Sequence, residues 1–119
     1  MPAPRPDQPI TITRHPRKIR VVFNGKTVAE SANALRLEEA NYPPVFYIPR
    51  EDARMEHFTP SDHSTRCPHK GSASYFSLEV DGKRSENAVW SYEKPYSGVA
   101  EIEKRLAFYR NRVDAIIEL

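Results

Sequence analysis

The sequence has little cysteine: Cys67 is the only one among its 119 residues. Because a disulfide needs two cysteines, none can form within the chain. A lone thiol is typical of proteins that reside in a reducing compartment. We therefore predict a cytoplasmic protein.

Long hydrophobic runs are also absent. No apolar run approaches the roughly 20 residues that a membrane-spanning helix requires. The opening residues, MPAPRP, lack the apolar stretch of a secretory signal. We accordingly expect no membrane partner.

Neither sign of charge dominates, because 18 basic residues face 16 acidic ones and the net charge is only +2. So balanced a chain does not indicate a nucleic-acid partner. The one basic cluster, between Arg14 and Arg20, is interpreted as solvated charge at the start of a strand. With only four glycines, the chain also lacks the spaced glycines of a phosphate-binding Walker loop.

What the chain does contain is a series of short alternating segments separated by turn signals. Asn24-Gly25 and Asp81-Gly82 are strong hairpin signals, since both central residues of a type I′ turn adopt positive φ. One helical pattern, Val99–Leu106, lies near the C-terminus. These features predict a mostly β fold, barrel-like or sandwich-like, with one short helix.

Four of the first nine residues are proline, which predicts a flexible arm over residues 1–9. Residues 10–119 are predicted to form a single β-rich domain. The strand predicted at Ile10–Thr13 is able to add to a sheet edge of a second chain, so we expect a monomer or a homodimer.

The densest polar segment is Ser61–Gly71, with the sequence SDHSTRCPHKG. Two histidines, a cysteine, a carboxylate, two cations and three hydroxyl groups lie within eleven residues. We interpret Thr59–Gly71 as a loop, and loops on a rigid scaffold commonly carry functional sites. The segment therefore predicts a site.

Three chemistries are open for this segment. The cations Arg66 and Lys70, with a nearby histidine, would favour the thiolate of Cys67, although a buried structural cysteine is the plainer interpretation. A metal site is disfavoured, because the spacing of His63, Cys67 and His69 matches no known zinc pattern. We predict no metal and no cofactor.

The third chemistry is anion binding, in which hydroxyl groups, cations and a backbone amide surround a phosphate or carboxylate. The segment's candidates for this role are Ser64, Thr65, Arg66, Lys70 and Gly71. Arg50 and Tyr47 are candidates to join them. Solvated charge on a loop is the alternative interpretation.

Aromatic residues supply the remaining candidates. Most of them are expected in the core, but tyrosine and tryptophan carry polar tips and often line pockets. We expect Tyr47, Trp90 and Tyr92 to line a pocket near the polar segment.

Several motifs follow one another along the chain. They are Glu39 with Tyr42-Pro43-Pro44-Val45, Tyr47-Ile48-Pro49-Arg50-Glu51-Asp52, Cys67-Pro68-His69-Lys70-Gly71 through Tyr75, Ala88-Val89-Trp90-Ser91-Tyr92 with Pro95, and Ala107-Phe108-Tyr109. In this order they resemble the bacterial domain-of-unknown-function family 427. The resemblance covers roughly Ile19 to Asp114.

The resemblance implies a β-tent-like fold of two antiparallel sheets that meet at an angle. It brings no established reaction, although one catalogue gives the family a nucleotidyltransferase-like name. The family positions that this chain keeps include Glu39, Tyr47, Arg50, Cys67, Lys70, Gly71, Trp90 and Tyr92. Where the family usually has an aromatic residue, this chain has His69.

Three functions compete at this stage. The leading one is binding of a small anionic or partly aromatic ligand near Ser61–Gly71. The second is an enzyme, a transferase or hydrolase on a phosphate-bearing substrate, with Cys67 as nucleophile, His63 as base and Lys70 as oxyanion stabiliser. The third is a protein-interaction domain.

Overall fold

A computed structural model describes residues 10–119, so the predicted arm of residues 1–9 lies outside the described part. Ten strands follow one another between residues 10 and 119. They are β1 (Ile10–Arg14), β2 (Ile19–Phe23), β3 (Lys26–Ser31), β4 (Leu35–Glu39), β5 (Val45–Tyr47), β6 (Phe58–Cys67), β7 (Gly71–Val80), β8 (Lys83–Ser91), β9 (Ala107–Phe108) and β10 (Ala115–Glu118).

The strands pair into antiparallel sheets, which confirms the predicted mostly β fold. Over residues 10–119 there are three sheets, with strand orders β1-β4-β5, β10-β2-β3 and β6-β7-β8-β9. The family resemblance had implied two sheets. The additional sheet forms because β4 pairs with β1 and β5 rather than with β3, its neighbour in the chain.

Both predicted hairpin turns are confirmed. Asn24 and Gly25 have φ values of 49° and 78°, and Asp81 and Gly82 have values of 50° and 83°. Positive φ at both central residues is the condition for a type I′ turn, whose twist matches that of the flanking strands. These turns join β2 to β3 and β7 to β8.

The predicted loop Thr59–Gly71 is wrong over most of its length. Phe58–Cys67 is a ten-residue strand that pairs with β7, and only the turn from Cys67 to Gly71 is irregular. β6 lies at the edge of its sheet and its register shifts between Pro60 and Ser64. An edge position explains how a proline and so many polar residues fit within a strand.

The helix predicted at Val99–Leu106 is a 3₁₀ segment over Ser97–Ile102, with non-helical backbone angles at Val99. The other helical segments are 3₁₀ turns at Arg50–Asp52, Met55–His57 and Arg110–Arg112. Among residues 10–119, no helix has the length and apolarity that crossing a bilayer requires.

The four-stranded sheet contributes to two hydrophobic clusters, one on each face. The first cluster joins it to β2 and β3 through side chains such as Val21, Phe46 and Phe108. The second joins it to β4, β5 and the 3₁₀ segment through Leu37 and Tyr47, among others. Because successive side chains of a strand point to opposite faces, adjacent Ala107 and Phe108 belong to different clusters.

Candidate functional site

The described residues line a half-open cavity with a volume of about 690 Å³. Its wall is mostly apolar, and much of it is also hydrophobic core, namely Val21, Phe46, Ile48, Phe108 and Ile116. The rest of the wall comes from the Tyr42–Val45 segment, the Cys67–Lys70 turn, Glu39, Trp90, Tyr109 and Arg110. A cavity of this size and character is typical of small-molecule sites.

A second cavity, of about 260 Å³, adjoins the first. The two share wall residues that include Glu39, Lys70, Trp90 and Tyr109. The smaller cavity is otherwise lined by Leu37, Tyr47, Thr65, Tyr75 and Tyr92. The shared residues therefore form a partition between an apolar space and one rich in hydroxyl groups.

Lys70 stands at this partition because of the tight turn between β6 and β7. Its amide donates to the carbonyl of Cys67 at 3.3 Å, and its carbonyl accepts from the amide of Tyr96 at 2.9 Å. The side chain then reaches across to β4, where Nζ donates to Oε1 of Glu39 at 2.7 Å. The same Nζ lies 3.7 Å from Sγ of Cys67.

The turn depends on Gly71, whose φ of 119° is a value that residues with a side chain rarely adopt. A Cβ added there would lie 3.5 Å from the carbonyl oxygen of Lys94, an ordinary contact. Conformation rather than space is therefore the reason for a glycine.

Trp90 is held in place by aromatic neighbours on β5 and after β9. Its Nε1 donates to the hydroxyl of Tyr47 at 3.3 Å, and their rings meet edge-on. Its ring also packs against that of Tyr109, with centroids 4.5 Å apart. These contacts fix an aromatic surface on both cavities.

A chain of hydroxyl groups runs along the smaller cavity. The hydroxyls of Thr65 and Tyr75 are 2.9 Å apart, and those of Tyr75 and Tyr109 are 3.2 Å apart. β6 and β7 align Thr65 opposite Ala73, which brings Tyr75 alongside on the same face of the sheet.

The phenols around the partition stay protonated to unusually high pH. Burial raises the pKa of Tyr47 and of Tyr92 far above the usual value near 10, with the nearby Glu39 and Cys67 acting in the same direction. Burial also raises the pKa of Tyr109 to about 12, helped by the hydrogen bond to Tyr75. At neutral pH these groups are therefore neutral hydrogen-bonding hydroxyls.

Arg110 is a second cation at the wall of the larger cavity. Its guanidinium lies 5.9 Å from the centroid of the Phe46 ring, a cation–π distance. It forms no ion pair with any carboxylate of residues 10–119. Lys70, by contrast, is neutralised by Glu39.

Part of the predicted site lies on the opposite face of the four-stranded sheet. Ser64, Arg66 and Gly71 line a separate groove of about 480 Å³ with Lys94 and Tyr96. Alternation along β6 explains the division, because Thr65 and Cys67 point to the cavity face and their neighbours point away.

Arg50 is also remote from the two cavities. It donates to Ser91 at 2.9 Å and to Glu93 at 2.8 Å, and its guanidinium lies over the ring of Phe76. Burial acts to raise the pKa of Glu93, but the hydrogen bond and the charge of Arg50 hold that pKa below its usual range. These contacts make Arg50 a structural cation, although its buried Nε has no hydrogen-bond partner within residues 10–119.

His63 shares a face of β6 with Cys67 but stands four residues earlier. At a strand rise of about 3.3 Å per residue, the two lie roughly 13 Å apart along the strand. The His63 ring packs on Tyr75 at 4.5 Å and lines a different pocket, with Asn87 and Arg112. Over residues 10–119, no three histidine, cysteine or acidic side chains gather as metal ligands would.

The structure thus brings together Glu39, Tyr47, Thr65, Cys67, Lys70, Trp90 and Tyr92 from the predicted set. Sequence reasoning did not assign Tyr42, Tyr109 or Arg110 to the site. The first two fall within motifs quoted for the family resemblance, a signal that was present but not used. Arg110 carried no local signal, since its position depends on how β9 pairs with β8.

A search of curated proteins found no match to this chain. The family model described as "Domain of unknown function (DUF427)" matches residues 11–119, which include every residue of the two cavities. The protein with this two-chambered aromatic site therefore belongs to the DUF427 family.

Proposed function

We propose that this domain binds a small molecule composed of a planar ring and one anionic group, and that the 690 Å³ cavity receives it. The observation that carries the proposal is the arrangement of Trp90, Tyr109 and Arg110 around one apolar space. Apolar cavities with a few convergent polar groups are the usual form of small-molecule sites.

The charges at the cavity support a single anionic group. Lys70 and Glu39 cancel each other as a close ion pair, whereas Arg110 forms no ion pair with any carboxylate of residues 10–119. A guanidinium binds carboxylate or phosphate through two parallel hydrogen bonds. The aromatic surfaces of Trp90 and Tyr109 favour a planar ring beside that group.

Isothermal titration calorimetry tests the proposal with nicotinate, benzoate and adenosine 5′-monophosphate as probes. We expect at least one of them to bind, and Arg110→Ala to weaken that binding about 10-fold, the effect of losing one charge-assisted hydrogen bond. The matched control is Arg84→Ala, since Arg84 lies on β8 beside Glu79 and outside both cavities.

Two results would contradict the proposal. One is an absence of binding by all three probes at millimolar concentration. The other is an equal effect of Arg110→Ala and Arg84→Ala, which would mean that the cavity does not use its cation.

A second candidate function rests on the thiol of Cys67. The thiol lines the larger cavity, and Nζ of Lys70 lies 3.7 Å from Sγ. That arrangement supports the alternative of a transferase or hydrolase with a cysteine nucleophile, in which Lys70 stabilises developing negative charge. Because His63 is distant from Cys67, the general base would have to be another group. His63 itself would serve only after a movement of β6.

The variants Cys67→Ser and His63→Ala separate the two candidates. Under simple binding, each variant retains the affinity of the protein for its probe within about 3-fold. Under nucleophilic catalysis, Cys67→Ser abolishes turnover of a phosphate ester such as 4-nitrophenyl phosphate. Absence of turnover in the unaltered protein would count against this second function.

A further inference from the structure

The smaller cavity differs in chemistry from the larger one although they share a wall. Six side chains that carry hydroxyl groups line its 260 Å³, namely Tyr42, Tyr47, Thr65, Tyr75, Tyr92 and Tyr109. Since a water molecule in the liquid occupies about 30 Å³, there is room for a group on the order of eight non-hydrogen atoms. A ligand that reaches past Trp90 would pass directly from one cavity into the other.

Several of these hydroxyls have hydrogen-bonding capacity to spare. The chain of Thr65, Tyr75 and Tyr109 joins three hydroxyl groups by two hydrogen bonds, so one proton remains uncommitted. The Tyr47 hydroxyl accepts from Trp90, which leaves its own proton free for a second partner.

Tyr92 gives the clearest evidence that a hydroxyl group of this cavity lacks a partner. Its side chain is 94 % buried and its hydroxyl has no hydrogen-bond partner within residues 10–119. Nevertheless it is not among the fully enclosed unpartnered atoms, which belong only to His15, Arg36 and Arg50 in the described chain. The hydroxyl of Tyr92 is therefore not fully enclosed, and Tyr92 is one of the residues that line the smaller cavity.

The hydroxyls also determine what kind of group suits the cavity. Burial keeps Tyr47, Tyr92 and Tyr109 in the neutral form, and the charges of Lys70 and Glu39 at the boundary cancel. A neutral group that both donates and accepts hydrogen bonds satisfies such a wall, whereas a charged group would lack a counter-ion.

We propose that the smaller cavity receives a hydroxylated, sugar-like part of the ligand whose ring occupies the larger cavity. The proposal rests on the proposed function and extends it, because it states a specificity for the same site. The ligand class is then a planar ring, a polyol that enters the smaller cavity, and an anionic group that pairs with Arg110 at the larger one. A nucleoside 5′-monophosphate contains all three groups, with its phosphate carried on the sugar. Tyr92 contributes to specificity through its free hydroxyl.

The experiment compares two probes that differ only in hydroxyl groups. Each of the four common ribonucleoside 5′-monophosphates is titrated beside its 2′,3′-dideoxy counterpart, with the fluorescence of the single tryptophan, Trp90, as the readout. Two added hydroxyl groups that find partners should tighten binding about 10-fold. The Tyr92→Phe variant keeps the ring and should reduce that ratio to about 3-fold.

Tyr96→Phe is the matched control, because Tyr96 lines the groove on the other face of the sheet. This control should leave the ratio unchanged. If the ribose and dideoxy forms bind equally, or if Tyr92→Phe and Tyr96→Phe give the same ratio, the smaller cavity does not recognise hydroxyl groups and the inference is wrong.

The aromatic acids used to test the proposed function separate the two failures. If nicotinate or benzoate binds through Arg110 while the ribose and dideoxy forms are equal, the proposed function stands and only the sugar specificity fails. If neither the acids nor the nucleotides bind, both proposals fall together.

Discussion

Nζ of Lys70 lies 2.7 Å from Oε1 of Glu39, although the two residues are 31 positions apart in the chain. The pair joins the turn after β6 to the end of β4 and therefore ties two sheets together at the cavity wall. Both side chains are largely buried, with exposed fractions of 12 % and 13 %. A buried ion pair restricts the positions of β4 and of the turn after β6 more than an ion pair on the surface would.

Lys70→Met should destabilise the protein strongly, because Glu39 would keep a buried charge without a partner. The expected loss in the free energy of unfolding is about 3 kcal/mol, measured by urea denaturation at pH 7. The double variant Glu39→Gln/Lys70→Met should recover most of that loss, since no unpaired charge remains.

Lys26→Met is the control, because the Lys26–Asp81 pair is exposed at 51 % and 65 %. Its effect should stay below about 1 kcal/mol. Equal losses for Lys70→Met and Lys26→Met would show that the Lys70–Glu39 pair is not effectively buried in solution.

Alkaline pH should weaken the fold through Tyr109. Its pKa is raised to about 12 in the folded protein by burial, against about 10 in an unfolded chain. The folded state therefore holds this proton to higher pH, so the contribution to stability is complete below about pH 10 and is lost as pH rises towards about 12.

The measurement is the difference in unfolding free energy between the unaltered protein and Tyr109→Phe, followed from pH 9 to 11.5. Above about pH 10, the unfolding free energy of the unaltered protein should fall more steeply with pH than that of Tyr109→Phe. The two slopes should differ by up to the value for about one proton released on unfolding. Parallel pH profiles would mean that Tyr109 titrates as an exposed phenol.

Gly71→Ala should cost more than Gly82→Ala. Gly82 has φ of 83°, near the left-handed region that other residues visit in turns, whereas Gly71 has φ of 119°. We expect losses of about 2 and about 1 kcal/mol, respectively, in thermal or urea unfolding. Since Gly71 follows Lys70, the first variant should also weaken probe binding, and an equal cost at both positions would contradict this assignment.

Cys67 should react with iodoacetamide in the folded protein, because it is half-buried and lines the larger cavity. A bound probe at saturating concentration should slow the reaction at least 5-fold, and the reaction in urea serves as the accessibility control. As the chain has one cysteine, the mass of the product identifies the site. An alkylation rate that the bound probe does not alter would place the ligand elsewhere.

His63→Ala should leave the rate of that alkylation unchanged within about 2-fold, because His63 stands roughly 13 Å along the strand from Cys67. A large decrease in rate would instead support the role of His63 as a base, which remains a prediction.

The turns could be predicted from the sequence because their chemistry is local. Asn24-Gly25 and Asp81-Gly82 require nothing beyond their own φ preferences. β6 could not be predicted in this way, since it has polar residues on both faces and its order comes from pairing with β7.

The candidate site was predictable in composition more than in arrangement. Cys67, Lys70, Trp90 and Tyr92 were singled out by residue type, and they do line the cavities. The separation of Arg50 from them depends on which face of a sheet each strand presents. That information lies in strand pairing across distant segments, which no local pattern carries.

The wall of the larger cavity and the hydrophobic core share Phe46, Ile48 and Phe108. We therefore expect few substitutions at these three positions within the family, because each one would alter the packing of the hydrophobic core as well as the wall of the larger cavity. Under the proposed function, divergence in ligand choice should be concentrated at Tyr42, His69 and Arg110, which line the cavity outside the core. Redesign of the site would best begin at those three positions, because their side chains are not part of the hydrophobic core.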